Sequence, residues 1–419
     1  MIERLQVRAF KGLREFDIRP GRVNLLIGAN GTGKTNFTDL IEFISKICPM
    51  GLSGALKSFG GLAQVRTRLP GVGTPYKFKI TLTLGEDPYR GIQRAYYHFT
   101  LAQSNEVKVQ KEVLDAVVYK RSPGRPLKPG FPRFDQDQPI ELSFHREGTQ
   151  VIEQSAYLES ILSPEFDDEQ ELVLAAYGRL GELRTLSDYL ASWRVYNIVA
   201  GIAKRSTGGS DVELARDGAN IVPYVARMLE KKQMRARLLS DLQEAVPYIQ
   251  DIRPDRVLTF QTLRFKEWDG IEFQMPEMSD GTIRLLGLLA VLRQPVPPAV
   301  IVIEEPENAM HMYAIAYLLS VVRRVAMAEQ FASQVFLTSH SPAVVDEVLK
   351  VEALRETHGQ TRCFVTQRRP QAPSIVPAPP EVMQAIAQNL GRPSDFHREG
   401  SFGDEPVQLE LPMGAEEEG

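Results

Sequence analysis

The eight residues GANGTGKT, Gly28 to Thr35, constrain this chain more than any other stretch, because the glycine, lysine and threonine spacing of a phosphate-binding loop works at only one kind of junction. Such a loop leaves the carboxyl end of a strand and enters the amino end of a helix, so that backbone amides and the helix dipole converge on an anion. The flanking sequence supplies both. Residues 22–27, which run through VNLLI, read as a buried strand, and Lys34 to Ile47 carries helical apolar spacing. Gly28, Gly31 and Gly33 let the amides converge, with Asn30 and Asn36 beside them; Lys34 reaches the outer phosphates and Thr35 offers a hydroxyl to magnesium. The bland alternative is a mere glycine-rich turn, and the strand, loop and helix order speaks against it.

A single core rarely grows past about 250–300 residues. A chain of 419 residues is therefore expected to form one large nucleotide-binding domain with an inserted second lobe, or two domains. Hydrophobic residues at 43% and charged residues at 24% place it among globular proteins. The longest apolar patches, Leu285–Leu292 and Val300–Ile303, are too short to span a bilayer, and MIERLQVRAF lacks the apolar centre of a signal peptide. A cytoplasmic protein with no membrane partner is expected. Cys48 and Cys363 fit neither a metal spacing nor a disulfide framework and are expected to pack in the core. The net charge is -4, but residues 403–419 carry six acids and no Lys or Arg, which leaves the remainder at +2. That balance neither requires nor excludes nucleic acid.

Along the chain, residues 2–10 read as a strand, and about 76 to 120 as short alternating strands such as YKFKITLTL and AYYHFTL, an antiparallel lobe followed by the basic loop YKRSPGRPLKPGFPR. Between about 165 and 250 the periodicity is helical, interrupted near STGGSD, and the heptads are not sustained. A helical lid is expected there, not a long coiled coil. Strands near 257–274, a helix from Thr282, a buried strand at 300–303, a helix near 309–328 and a strand at 334–338 follow, and sequence past 366 reads as a loosely ordered Pro-rich and acidic end.

Three further motifs carry chemistry. In AVIVIEEPENAMH an apolar strand ends in Glu304 and Glu305; beside a nucleotide the first carboxylate can hold magnesium through its water shell and the second can orient or deprotonate water. Alone, paired acids after a strand are more often a solvated strand end. In MSDGTIRLLGLLAVL, Ser279 can cap the following helix, which is the bland reading; the same hydroxyl and helix-start amides, with Gly281, form an anion site that can face a partner's nucleotide. In FLTSHSP, His340 sits just past a strand, where it can donate to a terminal phosphate, although a lone histidine is structural by default.

The four motifs in this order resemble the ABC-type ATPases of the RecF, SMC and OLD (overcoming lysogenization defect) group, and within it the compact stand-alone bacterial ATPases that accompany antiviral or mobile-element genes. RAFKGLREFDIRPGRVNLLIGANGTGKTN and ELARDGANIVPYVARML are also similar to that group, so the resemblance spans most of residues 1–350. It implies an α/β fold: an ABC-type P-loop ATPase domain with a mixed central sheet, an antiparallel β lobe and an inserted helical lid. The implied division is 1–160 for the N-terminal part of the core with the β lobe, 161–256 for the helical insert, 257–365 for the C-terminal part of the core, and 366–419 for the tail. The implied ligands are ATP and magnesium, with Lys34 on the phosphates, Thr35 and Glu304 at the metal, Glu305 as catalytic base and His340 as phosphate sensor. Ser279 and Gly281 would complete the site of a second copy in an ATP-linked dimer. Transporter relatives have Asp where Glu304 stands and a different signature where MSDGT stands. For the family's glutamine loop, Gln64 and Gln154 are the candidates.

What ATP turnover would drive is left open among three readings: control of a separate effector such as a nuclease in antiviral defence, DNA repair or maintenance like RecF, and a nucleotide-switched scaffold with negligible hydrolysis. A transporter subunit fits less well, because the insert between Lys34 and Ser279 is large. Two basic clusters bear on DNA: Lys120, Arg121, Arg125, Lys128 and Arg133 in a Pro/Gly loop, and Lys231, Lys232, Arg235 and Arg237 on a helix. A solvated loop and a solvated helix face are equally good accounts of them. The chain carries no nuclease constellation, so DNA cleavage would need a partner.

Overall fold

The computed structural model describes residues 1–67, 76–103, 106–122, 131–205, 212–257, 260–368 and 374–403. The interrupting STGGSD stretch, Arg125 and Lys128 of the basic loop, and the acidic tail lie outside the described residues. In chain order the strands are β1 (Ile2–Phe10), β2 (Leu13–Ile18), β3 (Val23–Ile27), β4 (Tyr76–Leu84), β5 (Ile92–Gln103), β6 (Val107–Ser122), β7 (Arg133–Glu147), β8 (Gln150–Gln154), β9 (Arg194–Tyr196), β10 (Ile249–Val257), β11 (Phe260–Glu267), β12 (Glu272–Gln274), β13 (Val300–Glu304), β14 (Gln334–Ser339), β15 (Thr361–Thr366) and β16 (Ile375–Pro377). Three helices matter most: α1 (Lys34–Ser58), α2 (Asp280–Leu292) and α3 (Met312–Ala326).

Thirteen strands form one mixed sheet in the order β8-β7-β6-β5-β4-β1-β2-β16-β15-β3-β14-β13-β9, and β10, β11 and β12 form a small antiparallel sheet. The antiparallel lobe is thus continuous with the nucleotide half, joined through the pairing of β1 with β4. At the other end the pairs β15–β3, β3–β14, β14–β13 and β13–β9 are parallel. Every residue of β3, β13 and β14 is buried, the pattern required of strands covered on both faces. Alternation along them feeds two cores. Leu26, Val302 and Phe336 pack with Phe37, Leu40 and Ile41 of α1 and with the antiparallel lobe. Leu25, Ile27, Ile301, Ile303, Val335 and Leu337 pack with α2 and α3.

The stretch between about 165 and 250, whose periodicity is helical, contains short helices that include Leu183–Ala191, Ile221–Leu229 and Lys232–Ala245. It also contributes β9, which pairs with β13 inside the main sheet, an element of three residues too short to show a period. Helix α1 runs past the expected Ile47 and kinks where Pro49 breaks the hydrogen-bond ladder and Gly51 leaves the helical region at φ 73°. The expectation of a loosely ordered chain past 366 is corrected for residues 374–403: β16 pairs with β15 and β2, helices Pro380–Ala387 and Pro393–Arg398 follow, and the Ser394 amide donates to Asp346 Oδ1 at 2.7 Å. Proline-rich composition conceals a chain that gains its order from these tertiary partners. Cys48 and Cys363 are buried and unbridged, and burial pushes the Cys48 thiol up to about 12. Among the described residues no helix is long and apolar enough to cross a membrane.

A buried carboxylate ties the antiparallel lobe to the helices that follow it. Glu112 of β6 is fully buried and accepts hydrogen bonds from Tyr97 Oη (2.8 Å) and from the amides of Val173 (2.7 Å) and Leu174 (3.1 Å). Arg146 Nη1 lies 3.7 Å away, its guanidinium donating to the carbonyls of Gly148, Asp168 and Glu171. Burial dominates and raises the Glu112 carboxyl to about 7. Below the ordinary carboxylate pKa both states are protonated; as pH rises toward 7 the unfolded chain releases this proton and the folded chain keeps it, so stability falls across that window. Glu112→Gln is therefore expected to flatten this part of the pH profile, an effect on the order of 3 kcal/mol at most, measured by urea unfolding of both proteins at pH 5 and pH 8.

Candidate functional site

Leu26, Thr338 and Glu304 lie on one rung of the parallel strands β3, β14 and β13. The loop that leaves β3 at Gly28 and the acid that ends β13 therefore emerge at the same edge of the sheet, roughly 10 Å apart across two strand spacings. Nearly 280 residues of sequence separate them. A crevice outside the carboxyl ends of parallel strands is where α/β sheets hold ligands.

The loop is closed by its own lysine. Lys34 Nζ donates to the carbonyls of Gly28 (2.5 Å) and Ala29 (3.1 Å), and the Thr32 hydroxyl donates to Ala29 O at 2.7 Å while sharing a hydrogen bond with Thr366 Oγ1. Gly28 has φ 152°, and a Cβ there would stand 2.2 Å from Thr366 Oγ1, so only glycine lets β3 turn into the loop beside β15. Lys34 is buried, Asn30, Gly31 and Thr35 are exposed, Asn36 is half-buried and Gly33 caps α1. The first turn of α1 therefore presents the Thr35 hydroxyl and the helix-start amides at the sheet edge.

On the acidic side, Glu304 is buried and its carboxylate is held by the Arg216 guanidinium and the Thr38 hydroxyl. Burial raises the Glu304 carboxyl and Arg216 opposes that rise. Glu305 leaves the strand in the left-handed region at φ 43°, with its amide donating to Thr338 O at 3.0 Å. For a residue with a Cβ that conformation costs about 1–2 kcal/mol. It turns the side chain of Glu305 out of the sheet, where Oε2 accepts from Asn308 Nδ2 at 2.8 Å and Oε1 lies 3.4 Å from His340 Nδ1. Glu307 Oε1 accepts from Ser339 Oγ at 2.6 Å and lies 3.8 Å from His340 Nδ1, so one histidine stands over two carboxylates.

Ser279 caps α2, its Oγ accepting from the Thr282 amide at 3.1 Å. A Cβ on Gly281 would stand 2.2 Å from the Ala309 carbonyl, so the start of α2 presses on the loop that follows β13. A cavity of about 320 Å³ opens beside it, lined by Ser279, Gly281, Thr282, Tyr248, His311 and Tyr313. Buried Arg284 joins the two features: it donates to the carbonyls of Glu304 (2.8 Å), Glu305 (2.9 Å) and Ile198 (2.8 Å).

Oxygen donors such as the Thr35 hydroxyl and the Glu304 carboxylate suit magnesium, and the amides of the loop and the Lys34 ammonium suit phosphate, so the residues present fit a magnesium-bound nucleotide. The structure brings Lys34, Thr35, Glu304, Glu305 and His340 to one edge of the sheet. Gln154 ends β8, the strand at the opposite end of the sheet order from β9, and Gln64 lies in the short helix Leu62–Val65. Among the basic candidates Arg121 pairs with Asp188 at 3.0 Å and Arg235 with Asp251 at 2.8 Å. Motif reading missed Arg216, Arg284, Glu307 and Asn308. The last two were visible as the acid and amide after Pro306, whereas both arginines act from helix and loop positions whose neighbours only the fold defines.

A head of an SMC protein bound to the C-winged helix domain of ScpA superimposes with a TM-score of 0.50 at 12% identity, over 91% of this chain and 98% of that one. The SMC head domain from Thermotoga maritima gives 0.46 at 13% identity, over 90% and 99%. No curated protein sequence matches the chain. Residues 23–346 match the family described as "AAA domain, putative AbiEii toxin, Type IV TA system". The chain belongs to that family of P-loop ATPases, and its fold is that of the ABC-type ATPase head of SMC proteins.

Proposed function

We propose that this chain binds and hydrolyses ATP with magnesium, working in the cytoplasm as a nucleotide-gated dimer that regulates a separate nuclease-type effector in bacterial antiviral defence. The observation behind the ATPase is the meeting of Lys34 and Thr35 with Glu304 and Glu305 at one sheet edge, although they come from distant parts of the chain. In that role the loop amides from Gly28 to Asn36 and Lys34 bind the triphosphate, and Thr35 and Glu304 hold the metal. Bound magnesium would neutralise charge on the outer phosphates. Glu305, turned out of its strand and steadied by Asn308, orients the attacking water and accepts its proton, while His340 donates toward the terminal phosphate. Ser279 and Gly281 face the nucleotide of a second copy. Support for the defence role comes from the family description, which names the AbiEii toxin and a Type IV TA system.

A DNA-binding maintenance ATPase is the second reading, favoured by a basic row on the lobe. Arg8, Lys79, Thr100 and Lys111 stand in register across β1, β4, β5 and β6. Arg8 and Lys79 are neighbours and Lys111, which also pairs with Glu147 at 3.8 Å, stands two strands further on, a set of three cations that suits a phosphate backbone. Reversing two of them, Lys79→Glu with Lys111→Glu, is expected to weaken duplex DNA binding and to lower the slope of log affinity against log salt by about two in filter binding. DNA binding unchanged by the reversal would remove this surface from consideration.

For the ATPase itself, Lys34→Ala is expected to abolish binding of a fluorescent ATP analogue. Glu305→Gln should bind the analogue normally, lose hydrolysis by 100-fold or more by analogy with removal of a general base, roughly 10²–10⁴-fold, and accumulate as an ATP-dependent dimer in size-exclusion chromatography. Normal turnover by Glu305→Gln would remove Glu305 from the role of base, and the absence of any turnover in the unmodified chain would favour the scaffold.

A further inference from the structure

Arg216 lies in the segment before helix Ile221–Leu229, and two backbone hydrogen bonds fix that segment beside the main sheet. The Asn197 amide donates to Arg216 O at 2.8 Å and the Val199 amide to Asp217 O at 2.9 Å. Asn197 directly follows β9, and β9 pairs with β13, so the segment stands next to the strand end that carries Glu304. From there the guanidinium makes four contacts. Nη1 lies 3.0 Å from Asp39 Oδ1 and 2.5 Å from Glu42 Oε2, and Nη2 lies 3.4 Å from Thr38 Oγ1 and also bonds Glu304 Oε1.

Three of those partners sit on α1, one and two turns beyond Thr35. Asp39 has a second cation in Lys11 at 2.6 Å, and Glu42 has one in Lys46 at 2.7 Å. Glu304 is paired with Arg216 and with no other cation among the described residues. Burial opposes the charge of Arg216, but Glu304, Glu42 and Asp39 outweigh it and keep the guanidinium charged. A guanidinium is a rigid planar fork, so a carboxylate bound to it on one side and to α1 on the other loses its rotamer freedom.

We propose that Arg216 is the positioning residue for Glu304: it clamps this carboxylate to the phosphate-loop helix, in the orientation the metal site needs, and acts through it. The proposal rests on the nucleotide site described under Proposed function. A merely structural clamp would affect nucleotide binding equally with and without metal. A positioning role is felt chiefly when magnesium is present, because partners that orient a metal-binding group typically change metal affinity or activity by about 10–100-fold.

The experiment titrates magnesium against a fixed concentration of fluorescent ATP analogue in the unmodified chain, Arg216→Ala, Arg216→Lys, Glu304→Gln and the double variant. Arg216→Ala is expected to raise the magnesium concentration for half-maximal binding by about tenfold or more while leaving magnesium-free binding near the unmodified value. Arg216→Lys recovers part of the loss, since it restores the charge without the fork, and it carries the test if Arg216→Ala does not fold. In the Glu304→Gln background, Arg216→Ala adds no further shift. An unchanged magnesium requirement, or an equal loss with and without magnesium, overturns the proposal. Absence of analogue binding by the unmodified chain, with and without magnesium, overturns the nucleotide site instead.

Discussion

Complete burial of β3, β14 and β13 is the constraint on which the rest of the molecule depends. A strand covered on both faces has nowhere to place a charge along its length, since an unpaired buried charge is costly and in practice neutralises or finds a partner. Charged groups are therefore confined to the strand ends, and the one polar side chain inside β3, Asn24, is hydrogen-bonded to Gly21 and to the Val335 carbonyl. Gly28, Glu304 and His340 all occur where these strands stop, and the register that aligns Leu26, Thr338 and Glu304 puts the ends at one edge. The site is assembled by the hydrogen-bond ladder and the two apolar cores, before any contact between its own side chains.

Bringing these groups together concentrates acids. Glu304, Glu305 and Glu307 come from four consecutive residues of chain, and Asp39 and Glu42 lie on the helix next to them. Two arginines compensate in different ways. Arg216 bonds carboxylates directly, whereas Arg284 bonds the backbone carbonyls of Glu304 and Glu305 and leaves their side chains to other partners. Burial pulls Arg284 below its usual value, and Glu307, Glu305 and Glu304 pull it back. The division is economical, because a cation paired with the carbonyls lends its field to the acids without occupying their oxygens.

How much of this was legible in the sequence depended on whether a feature is local. VNLLI and AVIVI announce buried strands because their apolar runs sit beside the loop and the acids they position, and all four motifs stand at strand or helix ends as expected. Continuity of the antiparallel lobe with the main sheet was not legible, since it rests on β1 pairing with β4 some seventy residues later, and alternation reports a strand without reporting its neighbour. β9 is three residues long, and the ordered chain at 374–403 relies on pairing with β2 and β15. Arg216 escaped notice for a similar reason, yet one signal existed. Thr35, Thr38, Asp39 and Glu42 fall at positions i, i+3, i+4 and i+7 of α1, a polar stripe on a helix that otherwise enters the core. A stripe of that kind on a core helix calls for a cation, and the only uncertainty is where in the chain it comes from.

Helix α2 and the acid end of β13 are mechanically one unit. Gly281 brings the start of α2 into contact with Ala309, and Arg284 on the next turn holds the carbonyls of both glutamates, so a displacement of α2 is felt at the backbone of Glu304 and Glu305. Ser279 at the tip of this helix spends its hydroxyl on the Thr282 amide and on Thr282 Oγ1. Removing such a cap costs about 1 kcal/mol, and a hydrogen bond to a charged group contributes about 1.5–3 kcal/mol. Exchange of the cap for a phosphate oxygen is then favourable only when an anion is delivered to the helix tip. A face built this way is self-satisfied in isolation and would exchange its cap only for an anion, which is the discrimination that the proposed nucleotide-gated dimer needs.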